Sequence, residues 1–261
     1  MRSLARASVA TAVPPALAEP TAQACRRMAR CRSCTVRRNA LFVNLTHEEL
    51  DQIAPSVPDL TLSAGQPLYR EGDRPNALFI IRRGVVKLEQ YLPDGTYRIV
   101  RLARRTDLLA LESLLETACD HTAIALTEVE VCRVPLPVVR LVMAKQDWLA
   151  TQMIRHWHHA VQRADDWLTH YSTGTGRQRI ARLLIDLHDL AEMDAEEQEE
   201  AGPPLVELPS RDDVGAIVGI TKETASRVVA DFRRAGLLRN EGARHMTIDR
   251  AALAAIAAKD A

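Results

Sequence analysis

Three cysteines, Cys25, Cys31 and Cys34, lie within a stretch of ten residues near the start of the chain. Thiolates are the usual ligands of iron–sulfur clusters, commonly four to a cluster, and a Cys-x2-Cys spacing lets neighbouring ligands bind one cluster. A zinc site or a thiol-based redox switch would use the same residues. The spacing therefore predicts an iron–sulfur site, with zinc binding, thiol oxidation or incidental cysteines in a disordered arm as alternatives.

A second set of chemically capable residues lies near the other end of the chain and comprises Lys222, Glu223, Ser226 and Arg227. Helical spacing places these four on one face of a predicted helix, because Val228, Val229 and Phe232 must face a core. Arginine can donate two hydrogen bonds to guanine, and glutamate can accept one from the cytosine amino group. The four residues are therefore predicted to contact DNA bases.

The elements around this set predict a winged helix-turn-helix. Ser210 can cap a short first helix that Gly219 ends, and Thr221 can cap the second helix. Two short strands, at residues 237–239 and 245–248, would form the wing. Basic residues around the wing would contact phosphates and supply salt-dependent affinity; these are Arg233, Arg234, Arg239 and Arg244.

Short apolar runs separated by turn residues occupy the chain from Leu60 to Pro137 and predict a β-roll. Residues 78–81 and 85–88 are apolar runs interrupted by Arg82, Arg83 and Gly84, which predicts a hairpin. Asp94 and Gly95 predict another, with a tight type I′ turn. The expected fold class is α+β.

From Pro137 to Tyr171 no glycine occurs and apolar residues recur at helical spacing. The steps of four and three residues predict a coiled-coil seam that would pair two copies of the chain. Packing of this helix against its own domain is the alternative. The predicted seam consists of Met153, Trp157, Ala160, Ala164, Trp167 and Tyr171.

Composition excludes several classes of protein. Lysine plus arginine equals aspartate plus glutamate, at 34 each, so net charge alone indicates no partner. An odd number of cysteines argues against a disulfide framework. The chain has no run of about twenty apolar residues, so no membrane span is expected and a cytoplasmic protein is predicted. The sequence contains no nucleophile elbow, phosphate loop or paired-carboxylate motif, so an enzyme is not expected.

Two motifs resemble the Crp/Fnr family of transcription regulators, in its Fnr branch. Residues 223–227, Glu-Thr-Ala-Ser-Arg, are similar to the Glu-x-x-Ser-Arg motif of that family's recognition helix, and residues 65–73 and 78–84 to its cyclic-nucleotide-binding-like roll. The resemblance spans about residues 31–250. It implies a homodimer that binds a TTGAT-type palindrome in double-stranded DNA and contacts RNA polymerase.

The resemblance also implies a division of the chain into four parts. Residues 1–40 would be a disordered tail and cysteine-bearing arm, and 41–137 the sensor roll. Residues 138–173 would form the dimerisation helix, and 174–261 the winged helix-turn-helix.

Cys132 looks like the distant fourth cysteine that Fnr-type oxygen sensors contribute from the roll. The family pattern Cys-x2-Cys-x5-Cys, aligned on Cys31 and Cys34, would place its third ligand at Ala40. In this chain Cys25 would have to supply that ligand instead. The resemblance therefore implies an oxygen- or redox-sensing [4Fe–4S] cluster, whose iron is bound by Cys25, Cys31, Cys34 and Cys132. Cys119 has no assigned role and is expected to be buried.

Cyclic-nucleotide-binding members of the family hold the phosphate with a Gly-Glu pair and a downstream arginine. Glu112 is present here without the glycine, and Asp120 and His121 stand where the arginine is expected. An acid repels a phosphodiester, so no cyclic nucleotide is expected to bind. Haem sensing remains an alternative because of His156, His158 and His159. A nucleotide-binding regulatory module that does not bind DNA is a further one.

Overall fold

The computed structural model describes residue 34 and residues 42–197, 203–242 and 245–258. The α+β architecture predicted from the sequence is confirmed. A β-roll comes first, two helices follow it, and a winged helix-turn-helix forms the C-terminal part.

The roll begins with a short helix, α1 (His47–Ile53), which is capped by Thr46 and followed by a 3₁₀ turn (Ala54–Ser56). Eight antiparallel strands follow, in two four-stranded sheets ordered β1-β8-β3-β6 and β2-β7-β4-β5. Their bounds are β1 (Asp59–Leu62), β2 (Pro67–Tyr69), β3 (Ala77–Arg83), β4 (Val86–Tyr91), β5 (Tyr97–Ala103), β6 (Leu108–Leu109), β7 (Thr122–Ala125) and β8 (Val129–Pro135).

The hairpin predicted across Arg82, Arg83 and Gly84 is wrong. β3 pairs with β6 and β8, whereas β4 pairs with β5 and β7, so the chain crosses between the sheets at Gly84. A Cβ at Gly84 would lie 2.1 Å from the carbonyl oxygen of Glu128, so the crossing requires glycine there. Two adjacent apolar runs cannot show by themselves whether they pair or only follow each other.

The second predicted hairpin is present between β4 and β5, with a wider turn than expected. Leu92 donates its backbone N–H to Thr96 and accepts one from Gly95. Gly95 has φ +82° but Asp94 does not have a positive φ, so the turn is not type I′. The Asp94 carboxylate instead accepts hydrogen bonds from the backbone and hydroxyl of Thr96, at 2.9 and 2.6 Å.

The helical region after the roll consists of two helices and not the single helix expected over residues 138–173. α2 (Leu136–Lys145) ends at Gln146, which is in an extended conformation, and α3 (Trp148–Ser172) continues for 25 residues. A third helix, α4 (Gly176–Glu197), leads into the C-terminal part. Among the described residues no helix is both long and apolar enough to cross a membrane.

The C-terminal part contains two capped helices and a three-stranded sheet of order β10-β11-β9. The pairing of β10 with β11 confirms the predicted wing. The elements are β9 (Val206–Glu207), α5 (Arg211–Val218), α6 (Lys222–Arg234), β10 (Leu238–Asn240), β11 (His245–Ile248) and α7 (Arg250–Ala258).

The apolar core of the C-terminal part includes residues from the roll. Ile99 of β5 is 1% exposed and belongs to the same cluster as Leu184 of α4 and Phe232 of α6. Tyr97 and Leu102 of β5 pack against this cluster. The roll and the DNA-binding part therefore share one core instead of being joined only by a linker.

Candidate nucleic-acid interface and cysteine corner

The two helices of the candidate DNA interface are fixed by their caps. The Ser210 hydroxyl accepts the backbone N–H of Asp213 at 3.0 Å, and the Thr221 hydroxyl accepts that of Thr224 at 3.3 Å. Gly219 ends α5 in the left-handed region, at φ +69°, where a side chain would be strained. The resulting sharp turn leaves the N-terminus of α6 at the protein surface.

The four predicted base-reading residues lie in the first two turns of α6 and differ in availability. Glu223 and Arg227 are exposed, whereas Ser226 is half-buried. Lys222 is exposed but forms an ion pair with Asp212, with a Nζ–Oδ2 distance of 2.7 Å. Glu223 and Arg227 are thus ready to reach base edges, whereas Lys222 would first have to leave Asp212.

The arginines predicted to contact phosphates also differ in how accessible and how free their charges are. Arg233 and Arg239 are exposed, while Arg234 is paired with Asp231. Arg244 lies outside the described residues. Arg211, at the first position of α5, was missed by the sequence reasoning. Burial and the nearby Arg233 charge lower its pKa, so two cations converge at this edge of the interface.

A buried charge cluster joins the roll to α5, and we call it the hairpin junction: Lys87, Glu89, Tyr97 and Asp213. The Lys87 ammonium lies 2.5 Å from the Asp213 carboxylate and 2.7 Å from that of Glu89. The Tyr97 hydroxyl donates to the same Asp213 oxygen at 3.1 Å. Burial opposes the charge on Lys87, but these hydrogen bonds and charges outweigh it and raise the pKa of the lysine.

A second cluster, the cysteine corner, lies at the edge of the other sheet and comprises Cys34, Asp59, Arg82, Glu130 and Cys132. Cys34 and Cys132 are half-buried and pack against the same apolar cluster. The Arg82 guanidinium lies 3.3 Å from Asp59 and 4.0 Å from Glu130. Burial opposes the charge on Arg82, yet negative charge at Cys132, Cys34 and the two carboxylates raises its pKa. The corner therefore brings two of the four predicted thiol ligands to one cation.

The other cysteines fall into two groups. Cys25 and Cys31 lie outside the described residues. Cys119 is 2% exposed, and burial followed by the charges of Glu112, Asp73 and Asp120 raises the pKa of its thiol to about 12. Such a thiol stays protonated at neutral pH and is unreactive.

The interior of the roll contains a cavity of about 300 Å³ beneath α3. Glu112 and His121 line it, together with Tyr69 and Trp157. Arg101 of β5 also lines it and brings a guanidinium to the same space. The sequence does not indicate this arginine, because it comes from a different strand and not from the segment after Glu112 where the family carries its own.

The exposed face of α3 differs from the predicted seam. Met153 and Tyr171 are buried against the chain itself, as the alternative interpretation expected, and Ala160 and Trp167 are half-buried. Trp157 and Ala164 are exposed, although Trp157 also lines the roll cavity. We call the exposed apolar side chains of α3 the outer stripe; they are Ile154, Trp157, Val161 and Leu168.

The three histidines of the haem alternative all lie on α3. His158 and His159 are exposed and His156 is half-buried on α3. Burial, together with His159 and Arg163, lowers the pKa of His156.

Comparison with known proteins assigns a family to each part of the chain. The family "Cyclic nucleotide-binding domain" matches residues 60–146, and "Crp-like helix-turn-helix domain" matches residues 178–256. The transcriptional activator protein FnrL of Cereibacter sphaeroides is 27% identical over 222 residues, which are 84% of this chain and 88% of that protein. The fumarate and nitrate reduction regulatory protein of Escherichia coli is 25% identical over 84% of this chain and 86% of its own length.

A solved structure extends the likeness to three dimensions. A CRP-family transcriptional regulator from Thermus thermophilus superposes with a TM-score of 0.64 at 25% identity, over 77% of this chain and 97% of that chain. Together with the interface geometry, these matches place the chain in the Crp/Fnr family. It is a DNA-binding transcription regulator and not an enzyme.

Proposed function

We propose that this regulator responds to oxygen or redox state through a [4Fe–4S] cluster bound by Cys25, Cys31, Cys34 and Cys132. The observation that carries the proposal is that Cys34, from the arm, and Cys132 of β8 both pack against one apolar cluster and both act on the charge of Arg82. Cys34 and Cys132 are far apart in sequence, so the fold and not the local chain brings both of them near Arg82. Their donor chemistry fits an iron–sulfur cluster, which supplies sensitivity to oxygen or nitric oxide when it is bound.

The residues of the cysteine corner have an evident route to the DNA-binding part. Cys34 and Cys132 pack on the apolar cluster that also contains Leu149 and Met153 of α3. A shift of these thiols therefore changes the support beneath the first two turns of α3. The outer stripe lies on the same helix, so such a change would alter the balance between monomer and dimer by population shift.

A homodimer is proposed from the outer stripe. Ile154, Trp157, Val161 and Leu168 expose between 43 and 67% of their surface, and their spacing of three, four and seven residues is that of a coiled-coil seam. Pairing two copies would place two α6 helices on successive turns of DNA, as a palindromic TTGAT-type site requires. RNA polymerase is the further partner proposed from family resemblance.

The first experiment measures iron and acid-labile sulfide in anaerobically purified protein, with visible spectra before and after exposure to air. About four iron and four sulfide per monomer, with an absorbance that air bleaches, are expected. Cys132→Ser should abolish iron binding. Cys119→Ser is the matched control, since the buried Cys119 should leave the iron content unchanged. Stoichiometric zinc, or colourless metal-free protein after reconstitution, would favour the zinc or thiol-switch alternative and contradict the cluster.

A second experiment tests the dimer by sedimentation of anaerobic protein. Leu168→Asp places a charge on the outer stripe and should convert the dimer to monomer. Leu115→Asp is the control, because Leu115 is similarly exposed, at 59% against 63%, but lies in the roll. Equal dimer fractions in the two variants would rule out the stripe as the interface. Identical dimer fractions in anaerobic and air-exposed wild type would contradict the proposed switch.

A third experiment tests which DNA sequence the protein binds and whether a cyclic nucleotide controls that binding. The wild type is expected to bind a duplex carrying an inverted TTGAT repeat without added cyclic nucleotide, and cyclic AMP should leave the affinity unchanged. Affinity that depends on cyclic AMP would contradict this expectation and make Arg101, which lines the roll cavity, the first candidate for the phosphate ligand.

A further inference from the structure

An arginine of the roll lies directly beside the turn of the helix-turn-helix. Arg98 belongs to β5, and a Cβ built on Gly219 would lie 2.9 Å from its Nη2 and 3.0 Å from its Nη1. Gly219 ends α5 and precedes the α6 cap, Thr221, by two residues. The sensor domain therefore contributes a positive charge next to the N-terminus of the DNA-reading helix.

The charge on Arg98 has no partner within the chain as described. No carboxylate of the described ranges forms an ion pair with its guanidinium, whereas nearby Lys222 is paired with Asp212. The Arg98 residue is exposed, so its guanidinium is accessible from solvent. A cation that is held in place but not neutralised is suited to an external anion.

The position of Arg98 is determined by its neighbours in β5. Tyr97 donates to the buried Asp213 carboxylate of α5 at 3.1 Å, and Ile99 is inserted in the C-terminal core at 1% exposure. The residues on both sides of Arg98 are thus anchored to the DNA-binding part. The strand cannot withdraw Arg98 from the turn without breaking the hairpin junction.

Arg98 lies beside the end of α6 that a winged helix-turn-helix directs towards DNA. When a recognition helix enters the major groove, its N-terminal residues approach base edges, and groups around that terminus contact phosphates. We propose that Arg98 binds a DNA backbone phosphate at each half-site, so that the sensor roll forms part of the DNA-binding surface. This inference rests on DNA binding by α6, and it does not depend on the cluster or on the operator sequence.

The test measures the binding constant of anaerobic protein for a fluorescent 30-base-pair duplex as a function of salt, using both an inverted TTGAT repeat and a scrambled sequence. Each lost phosphate contact reduces the steepness of the fall of log K with log salt by about 0.9, so Arg98→Gln should make the slope shallower by about 1.8 for a dimer. The affinity should fall several-fold on both duplexes, because a phosphate contact carries no sequence information.

Two variants control for net charge and for folding. Arg70→Gln removes the same charge from an exposed position elsewhere on the roll and should keep the wild-type slope. Arg98→Lys keeps the charge and should restore most of the slope. An unchanged slope in Arg98→Gln, or an equal change in Arg70→Gln, would overturn the proposal. If wild-type protein bound both duplexes equally, the proposed operator sequence would be wrong. The role of Arg98 would still be tested, because the salt dependence on scrambled DNA also reports its phosphate contact.

Discussion

The hairpin junction and the cysteine corner hold similar ion pairs in different surroundings. Each contains one cation and two carboxylates: Lys87 with Glu89 and Asp213, and Arg82 with Asp59 and Glu130. The charged side chains of the junction are 5 to 11% exposed, whereas the charged side chains of the corner are 17 to 30% exposed. Solvent screens the corner and hardly reaches the junction, so equal charges make unequal contributions to stability.

The two clusters also differ in which parts of the chain they connect. The junction joins Lys87 of the roll to Asp213 of the DNA-binding part, 126 positions later, so its loss would weaken the contact between them. The charged residues of the corner lie in neighbouring strands of one sheet, which hold together without them. Substitutions at the corner should therefore disturb the fold less than substitutions at the junction.

The largest effect is expected from Lys87→Met. It leaves two buried carboxylates without their cation and should lower the free energy of unfolding by about 3–5 kcal/mol. The equivalent change at the corner, Arg82→Met, should cost less, about 1–2 kcal/mol, because solvent partly screens these ion pairs. Urea denaturation of both variants measures the difference. Neutralising all three charges, in Lys87→Met/Glu89→Gln/Asp213→Asn, should recover much of the loss, and equal costs for the two single variants would contradict the comparison.

The next effect isolates the contact of Arg98 with the turn. Gly219→Ala and Gly236→Ala both place a side chain at similar positive φ, +69° and +73°, and should each cost about 1–2 kcal/mol of strain. Only the Cβ at Gly219 meets another group, the Arg98 guanidinium, while Gly236 faces open space. Gly219→Ala should therefore weaken DNA binding more than Gly236→Ala when both are measured by anisotropy. Equal affinities would show that Arg98 moves aside without consequence.

A smaller effect sharpens the distinction between structural and ligand-binding cysteines. Cys119→Ser buries a hydroxyl in the apolar roll and should cost about 1–2 kcal/mol. Cys132→Ser, at the half-buried corner, should cost less than Cys119→Ser in metal-free protein. Thermal melts of the two variants under reducing conditions provide the measurement. The reverse order would mean that the corner stabilises the roll even without metal.

The smallest expected effect is a pH dependence of stability that arises from His121, which lies outside both the hairpin junction and the cysteine corner. Burial, together with Arg101, lowers the pKa of His121 below its usual 6.5. The folded state thus disfavours the protonated ring, so stability is retained above pH 6.5 and is lost as the pH falls below it. His121→Gln should remove part of the decline in melting temperature between pH 7 and 5. The control is His47→Gln, which alters an exposed histidine of α1 and should leave the decline intact.

Local features of the C-terminal part could be predicted from the sequence because they depend on neighbouring residues. The caps Ser210 and Thr221, the turn at Gly219 and the two strands of the wing all follow from residue types within a few positions. The exposure of Glu223 and Arg227 follows from the periodicity of Val228 and Phe232. The pairing of Lys222 with Asp212, ten positions earlier, does not follow from this periodicity.

The features that could not be predicted depend on contacts distant in sequence. The apolar side chains on α3 show helical spacing, but which of them face outward is decided by the roll, which buries Met153. The assignment of β3 and β4 to different sheets depends on the whole strand order. Lys87 and Arg98 look like ordinary solvent-facing strand residues until the C-terminal part packs against them.

The insertion of Ile99 into the C-terminal core has a consequence for how this protein is synthesised. Because the chain emerges from the ribosome N-terminus first, the β4–β5 hairpin exists before α5 and α6 are made. The hairpin can therefore act as a template on which the later helices assemble. A fragment that starts at residue 174 would lack this template and expose the apolar surface that Ile99, Tyr97 and Leu102 cover. The DNA-binding part is consequently not expected to fold correctly when it is transferred alone to another protein. A functional fusion would have to include the β4–β5 hairpin.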